Sequence, residues 1–229
     1  MAEEQSARLG ILMLDTAFPR PLGDIGHPES FAFPVAYARV PKASARAALS
    51  REAGALLAPF VAEGRRLVAQ GCTGIGTSCG FLGPLQADLA RELGVPVAAS
   101  ALSLVPVVAR MLPAGQVPGI VTISAEHLTG AHLAAAGIAE APPIAGCDPA
   151  GVFARTILED RADWDAARAR SDVIDAAEQL VAAHPHVGGI VLECTNMGPY
   201  AAEIASKTGR PVWSVIDLLT WFHAGLVRF

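Results

Sequence analysis

Two stretches of sequence decide the fold of this chain: GIGTSCGFLGPLQADLARELGVPVAAS at 74–100 and GIVLECTNMGPYAAEIASKTGRPVWSV at 189–215. The second follows the first by 115 positions, and the two align without a gap. Their shared positions include one cysteine each, Cys79 and Cys194, followed by Gly-Pro, Gly and Pro-Val in the same register. Chance rarely preserves such a set together, so we infer that the chain contains an internal duplication.

The rest of the chain alternates short apolar runs with alanine-rich runs of helical period. We predict strands at 9–14, 75–78, 95–99, 119–124, 189–192 and 211–215. We predict helices at 44–70, 84–93, 101–112, 164–184, 199–207 and 216–226. The strands are apolar throughout rather than alternating, which is typical of parallel sheets covered on both faces. The pattern therefore predicts an α/β fold whose parallel sheets are flanked by helices.

Composition and charge exclude several classes of partner. The 229 residues carry a formal net charge of −5, and lysine and arginine are scattered rather than clustered. We therefore expect no nucleic-acid partner and no anionic membrane surface. Every apolar run is shorter than the ~20 residues of a membrane span. The first ten residues contain no apolar segment typical of a secretory signal, so we expect a cytoplasmic protein.

The four cysteines do not form a pattern typical of a disulfide framework or a zinc site. They include no CxxC pair, and no histidine lies at zinc-ligand spacing beside them. Cys72 and Cys147 have no counterpart in the other half, so we interpret both as small buried packing residues.

The repeated cysteines stand where α/β proteins place their ligands. In both halves a strand is followed by the cysteine, a short loop, Gly-Pro and a helix. Each thiol is therefore expected beyond the carboxyl end of a parallel strand and near a helix N-terminus. The free N–H groups at such an end lower a thiol pKa and can hold a carboxylate or a developing enolate. Duplication could instead have preserved Cys79 and Cys194 for packing alone.

Two symmetric lobes would bring the two thiols to one ligand from opposite sides. One thiolate can then remove a proton from a carbon while the other thiol returns one to the opposite face. Such chemistry requires no metal, flavin or pyridoxal, so we expect no cofactor. It predicts inversion at a carbon next to a carboxylate or carbonyl of a small molecule.

Other polar residues flank the predicted cleft. Asp15 and Ser124 end equivalent strands and could orient a thiol or the substrate, although Asp15 could equally cap a turn. We predict substrate contacts from the residues beside the two cysteines, whose alternative role is hydrogen bonding within their own loops: Thr77, Ser78, Gly80, Thr195 and Asn196. The segment 17–34 is long for a strand-to-helix connection and contains Arg20, a candidate carboxylate anchor.

These motifs resemble those of the aspartate/glutamate racemase superfamily, which includes hydantoin racemases, maleate isomerase and arylmalonate decarboxylase. The run Leu-Glu-Cys-Thr at 192–195 is similar to the family's Leu-Gly-Cys-Thr, and Thr-Ser-Cys at 77–79 is similar to its first cysteine turn. The resemblance covers essentially the whole chain. It implies two flavodoxin-like lobes related by a pseudo-twofold axis, one formed by 1–100 and 215–229 and the other by 101–214. It also implies an active site in the cleft between them and a possible homo-oligomer.

Two departures from the family bear on the substrate. Gly80-Phe81 stands where glutamate racemases carry Asn-Thr, and Asn196 stands where they carry His. These changes argue against glutamate, and Phe81 predicts a less polar pocket. We therefore expect a cofactor-independent racemase or epimerase with Cys79 and Cys194 as its acid–base pair. The alternatives are a decarboxylase or cis–trans isomerase that relies on Cys194, and a two-lobed sensor without chemistry.

Overall fold

The computed structural model describes residues 8–50 and 52–226. The first seven and the last three residues, which the predicted first lobe includes, lie outside the described residues. The expected lack of a secretory signal concerns residues 1–10, and most of these also lie outside the described residues.

Two four-stranded parallel sheets form the framework. The first has the order β2-β1-β3-β4 and consists of β1 (Arg8–Met13), β2 (Val35–Arg39), β3 (Cys72–Thr77) and β4 (Val97–Ala98). The second has the order β6-β5-β7-β8 and consists of β5 (Val117–Thr122), β6 (Ile144–Gly146), β7 (Val187–Leu192) and β8 (Val212–Trp213). The predicted α/β class and the two lobes of equal topology are confirmed.

The helices cover the faces of both sheets. They are α1 (Ala45–Leu49), α2 (Leu57–Ala69), α3 (Gln86–Leu93), α4 (Val105–Met111), α5 (Gly130–Ala135), α6 (Val152–Leu158), α7 (Ala166–Ala183), α8 (Ala201–Thr208) and α9 (Val215–Leu226). The predicted helix at 44–70 is in fact interrupted. Ser50 has extended backbone angles, and its hydroxyl donates to the carbonyl of Ala47, which ends α1 before α2 begins.

The duplication holds residue by residue in three dimensions. β7 begins and ends 115 positions after β3, and α8 stands in the same relation to α3. Helices α3 and α8 both end at a glycine in the left-handed region, Gly94 with φ 67° and Gly209 with φ 65°. A glycine adopts this conformation without steric strain, so both helices stop at the same place.

The last helix returns to the first sheet. Gly74 and Gly76 of β3 have no room for side chains because Phe222, Leu226 and Leu219 of α9 pack against them. This packing closes one face of the sheet that carries Cys79. The boundaries of the two lobes remain a prediction.

Two strands, β2 and β6, and two helices, α5 and α6, were not predicted from the sequence. β6 has only three residues, and β2 directly follows the long segment 17–34, which the sequence analysis treated as a connection. Helices α5 and α6 are only six and seven residues long.

No helix within residues 8–50 and 52–226 is long and apolar enough to cross a bilayer. The cytoplasmic location remains a prediction.

Candidate active site

One cavity contains both repeated cysteines. Cys79 follows β3 and Cys194 follows β7, so each thiol lies just beyond the carboxyl end of a central strand, 8% and 7% exposed. The cavity is lined by Leu14, Phe18, Ala45, Leu49, Ser78, Cys79, Gly80, Phe81, Ile123, Ile157, Leu158, Glu193, Cys194, Thr195 and Asn196. The space open to the centre of a water molecule is only about 20 Å³. The walls must therefore separate to admit a substrate.

The thiols are neutral in this closed cavity, contrary to the expectation that helix N-termini would lower their pKa. Burial and, to a smaller extent, the nearby Glu193 raise the pKa of Cys79 to about 12, against hydrogen bonds from the backbone N–H groups of Phe81 and Leu82. Burial and Glu193 likewise raise the pKa of Cys194 well above its ordinary value, against the N–H of Asn196. Desolvation outweighs the backbone donors because both sulfurs lie deep between the lobes.

Glu193 is a site residue that the sequence analysis missed. It follows the last residue of β7 and is completely buried. Its Oε2 accepts a 2.7 Å hydrogen bond from the Thr122 hydroxyl, whereas Oε1 has no hydrogen-bond partner among the described residues. Burial raises the pKa of Glu193 to about 7. The sequence did carry a signal for this residue. Glu193 is a charged residue at the end of an apolar strand, where the family motif has glycine.

Glu193 also explains why residue 80 is glycine. A β-carbon on Gly80 would collide with the carboxyl group and the backbone carbonyl of Glu193. The loop that carries Cys79 and the loop that carries Cys194 thus touch through these two residues.

Ser78 and Thr195, both predicted as substrate contacts, instead join the two cysteine loops to each other. The Thr195 hydroxyl donates a 2.7 Å hydrogen bond to the carbonyl of Ser78. The Ser78 hydroxyl in turn accepts from the N–H of Leu14 at 2.8 Å. Both residues line the cavity, but these hydrogen bonds are structural.

The long segment 17–34 contributes to the site through a residue that was not predicted. Asp24 is almost fully buried, and its Oδ2 accepts a 2.7 Å hydrogen bond from Nδ2 of Asn196. This contact fixes the side chain of Asn196, whose Oδ1 lies 3.5 Å from the Cys194 sulfur. Arg20 pairs with Asp24 at 2.9 Å and stacks on Phe18. It is therefore held within the segment and does not line the cavity.

The structure does not bring three predicted binding residues to the cavity. Asp15 accepts a hydrogen bond from the N–H of Lys42 at 3.0 Å and lies 3.5 Å from Arg39. Ser124 pairs with the exposed His127 at 2.8 Å.

The neighbours Leu14 and Ile123 line the cavity in place of Asp15 and Ser124, because successive side chains at a strand end point in opposite directions. The hydroxyl of the third residue, Thr77, donates to the carbonyl of Ala99 at 2.8 Å.

The electrostatic character of the cavity is simple. Among the described residues that line it, Glu193 is the only acid, and none is a lysine, arginine or histidine. Phe18 and Phe81 supply aromatic surface, and six further lining residues are aliphatic. The described residues contain no group of three His, Cys, Asp or Glu side chains placed to hold a metal ion.

Comparison with solved structures identifies the fold. Allantoin racemase from Pseudomonas fluorescens superimposes with a TM-score of 0.68 at 17% identity, over 96% of this chain and 91% of that one. Arylmalonate decarboxylase gives 0.61 at 18% identity, over 97% and 93%. Glutamate racemase from Bacillus anthracis gives 0.62 at 12% identity, over 99% and 83%. The predicted resemblance is therefore confirmed: the chain has the fold of the aspartate/glutamate racemase superfamily.

Comparison with curated sequences overturns the predicted reaction. The chain is 24% identical to dimethylsulfoniopropionate lyase from Durusdinium sp. clade D, over 96% of this chain and 75% of the relative. It is 29% identical to dimethylsulfoniopropionate lyase 7 and 30% identical to lyase 6 of Emiliania huxleyi, over 96% of this chain and 67% and 60% of those relatives. No family model matches the chain.

These relatives are lyases, so the prediction of a racemase, and with it the isomerase class, is wrong. The error has a chemical reason. The paired cysteines predicted removal of a proton from carbon, and that step is shared by inversion and elimination. The cysteines therefore did not distinguish the two reactions.

Proposed function

We propose that this protein is a lyase that acts on dimethylsulfoniopropionate or a closely similar sulfonium acid. The similarity to dimethylsulfoniopropionate lyases along 96% of the chain supports the reaction class. The observation that carries the proposal is the cavity itself, which combines two buried thiols with a single acid and no lining cation among the described residues. A dicarboxylate would find no positive side chain there, whereas a ligand with a cationic sulfur meets a matching charge.

Elimination from this substrate requires a base in the protein and a surface that binds the substrate. A base removes a proton from the carbon next to the carboxylate, the electron pair forms a carbon–carbon double bond, and the adjacent carbon–sulfur bond breaks. The products are acrylate, dimethyl sulfide and one proton. The sulfur departs as a neutral molecule, so no acid is needed to protonate the leaving group.

The thiols of Cys79 and Cys194 are the candidate bases in the cavity. Their pKa values are raised by burial, so neither is ionised before substrate enters. A sulfonium placed beside them stabilises a thiolate by direct charge attraction in a site of low dielectric. The base would then form where the proton is to be removed.

Backbone donors are available for the negative charge that develops on the substrate carboxylate. The N–H groups of Phe81 and Asn196 interact with the two sulfurs, and the N–H of Leu82 is shared between the Cys79 sulfur and the Cys79 carbonyl. A carboxylate that enters between the sulfurs would lie within reach of the same loops. Preformed dipoles of this kind stabilise an enolate-like transition state without reorganisation.

The test is a direct assay of the purified full chain with dimethylsulfoniopropionate. Dimethyl sulfide is measured in the gas phase and acrylate by proton NMR, and the two should appear in a one-to-one ratio. A chain that releases neither product from this substrate, while remaining folded by circular dichroism, would overturn the proposal.

A further inference from the structure

Glu193 has an oxygen that the folded protein leaves without a partner. Oε2 is held by the Thr122 hydroxyl, but Oε1 has no hydrogen-bond partner among the described residues. The side chain is 0% exposed and lines the cavity that contains both cysteines. An unpaired polar atom in such a place is costly to keep, and such exceptions call for an explanation.

The position of this carboxyl group is fixed from both lobes. Thr122 at the end of β5 holds one oxygen, and Gly80 in the loop after β3 packs against the other side of the group. Glu193 therefore cannot swing away to solvent, and its free oxygen lies beside Gly80 in the cavity wall. When the carboxyl group is ionised, it places a localised negative charge at that wall.

The surrounding walls suit a cation that carries no N–H group. They are mostly apolar, with Leu14, Ile123 and Ile157 among them, and Phe81 adds an aromatic ring. A primary ammonium ion has three N–H donors to satisfy, and apolar walls satisfy none of them. A sulfonium or quaternary ammonium ion needs only negative charge, aromatic surface and apolar contact.

We propose that Glu193 is the counter-ion for the sulfonium group, which makes the cavity specific for small onium acids over their uncharged thioether counterparts. This inference deepens the proposed function and rests on it for the identity of the substrate. Glu193 acts by touching the substrate's cationic sulfur and is not the base that takes the proton. The charge of Glu193 determines which ligand is bound, and the thiols remove the proton from the substrate.

The experiment compares two probes that differ in charge at sulfur. Trimethylsulfonium carries the cation alone, and 3-(methylthio)propionate carries the carboxylate with a neutral thioether. Binding of each to the full-length wild type and to Glu193→Gln is measured by calorimetry at pH 8, and steady-state turnover of dimethylsulfoniopropionate is measured in parallel. Glu92→Gln is the matched control, because it makes the same change at an exposed position.

We expect Glu193→Gln to weaken trimethylsulfonium binding and to raise the KM for dimethylsulfoniopropionate at least tenfold. Affinity for 3-(methylthio)propionate should stay within threefold of wild type, and Glu92→Gln should change neither. Equal weakening of both probes would mean a structural role and would overturn the inference. Loss of turnover with unchanged trimethylsulfonium affinity would show that Glu193 handles a proton instead, and would overturn it too.

A second pair of variants keeps the test decisive if Glu193→Gln does not fold. Thr122→Val removes the hydroxyl that stabilises the carboxylate but leaves Glu193 in place, whereas Thr122→Ser retains the hydroxyl. Trimethylsulfonium affinity should fall in the first and persist in the second, and equal affinities would count against the inference.

The two proposals fail in different ways. A wild type that binds trimethylsulfonium through Glu193 but releases no dimethyl sulfide refutes the lyase alone. A wild type that cleaves the substrate with no change in onium selectivity in Glu193→Gln refutes the counter-ion alone.

Discussion

The hydroxyl of Thr195 donates a 2.7 Å hydrogen bond to the carbonyl of Ser78. Ser78 immediately precedes Cys79, and Thr195 immediately follows Cys194, so one hydrogen bond joins the two cysteine loops across the lobes. Both groups are buried, which makes this contact a constraint on the relative position of the two sulfurs.

Replacement of Thr195 by valine should therefore impair both stability and turnover. The Ser78 carbonyl would be left buried without this donor, at a cost of about 1–3 kcal/mol. We expect the thermal midpoint to fall by roughly 2–12 °C on this basis and kcat to fall with it. Thermal unfolding followed by circular dichroism, together with the dimethyl sulfide assay, measures both. Thr195→Ser keeps the hydroxyl and should stay close to wild type, and an equal loss in both variants would contradict this role.

Single substitution of the cysteines should reveal which thiol is the base. We expect Cys79→Ser or Cys194→Ser, or both, to lower kcat by about 10²–10⁴-fold, since this is the contribution of a general base. Dimethyl sulfide release under saturating substrate gives the rate. Cys72→Ala is the control, because Cys72 lies at the start of β3 and does not line the cavity. If both serine variants kept full activity, the thiols would not be the base.

Gly80→Ala should disable the site without touching either cysteine. The added methyl group would collide with the carboxyl group and backbone of Glu193, so the two cysteine loops must move apart. Overpacking of this kind costs about 1–3 kcal/mol, and a misplaced base loses on the order of 10²-fold in rate. Kinetics and chemical unfolding are measured beside Gly54→Ala, where an added β-carbon meets no atom within 4 Å. Wild-type kinetics in Gly80→Ala would show that the loops are not tightly coupled.

The ligand-free protein should lose stability as the pH rises from about 4.5 to about 7. Burial raises the pKa of Glu193 from 4.5 to about 7, so the folded state holds a proton that the unfolded state releases. Unfolding then becomes easier with rising pH across this window, by about 3 kcal/mol at most. Urea unfolding at pH 5, 6, 7 and 8 measures the slope.

Glu193→Gln should remove this slope. The two thiols that interact with Glu193 stay protonated throughout the window, because burial raises their pKa far above it. The same slope in the variant would assign the effect to another group.

Much of the framework could be predicted from the sequence alone. The repeat at 74–100 and 189–215 identified the central strands, both glycine helix ends and the matched cysteines, because those features depend on local chain chemistry that the two copies share. The edge strands β2 and β6 were missed, because β6 has only three residues and β2 follows the long segment 17–34 without a repeat to mark it. The reaction was predicted wrongly, because removal of a proton from carbon, the step predicted from the cysteine pair, is shared by inversion and elimination.

The electrostatics of the site were decided by the tertiary structure. Backbone N–H groups at a helix N-terminus lower a thiol pKa, but the meeting of the lobes buries both sulfurs, and the desolvation outweighs those donors. Nothing in the sequence assigns a role to Asp24 or Glu193. Packing makes Asp24 the support of Asn196 and Glu193 the acid that lines the cavity. The physical reason is that desolvation and side-chain direction depend on which surfaces meet across the cleft, and contacts between residues distant in the chain determine both.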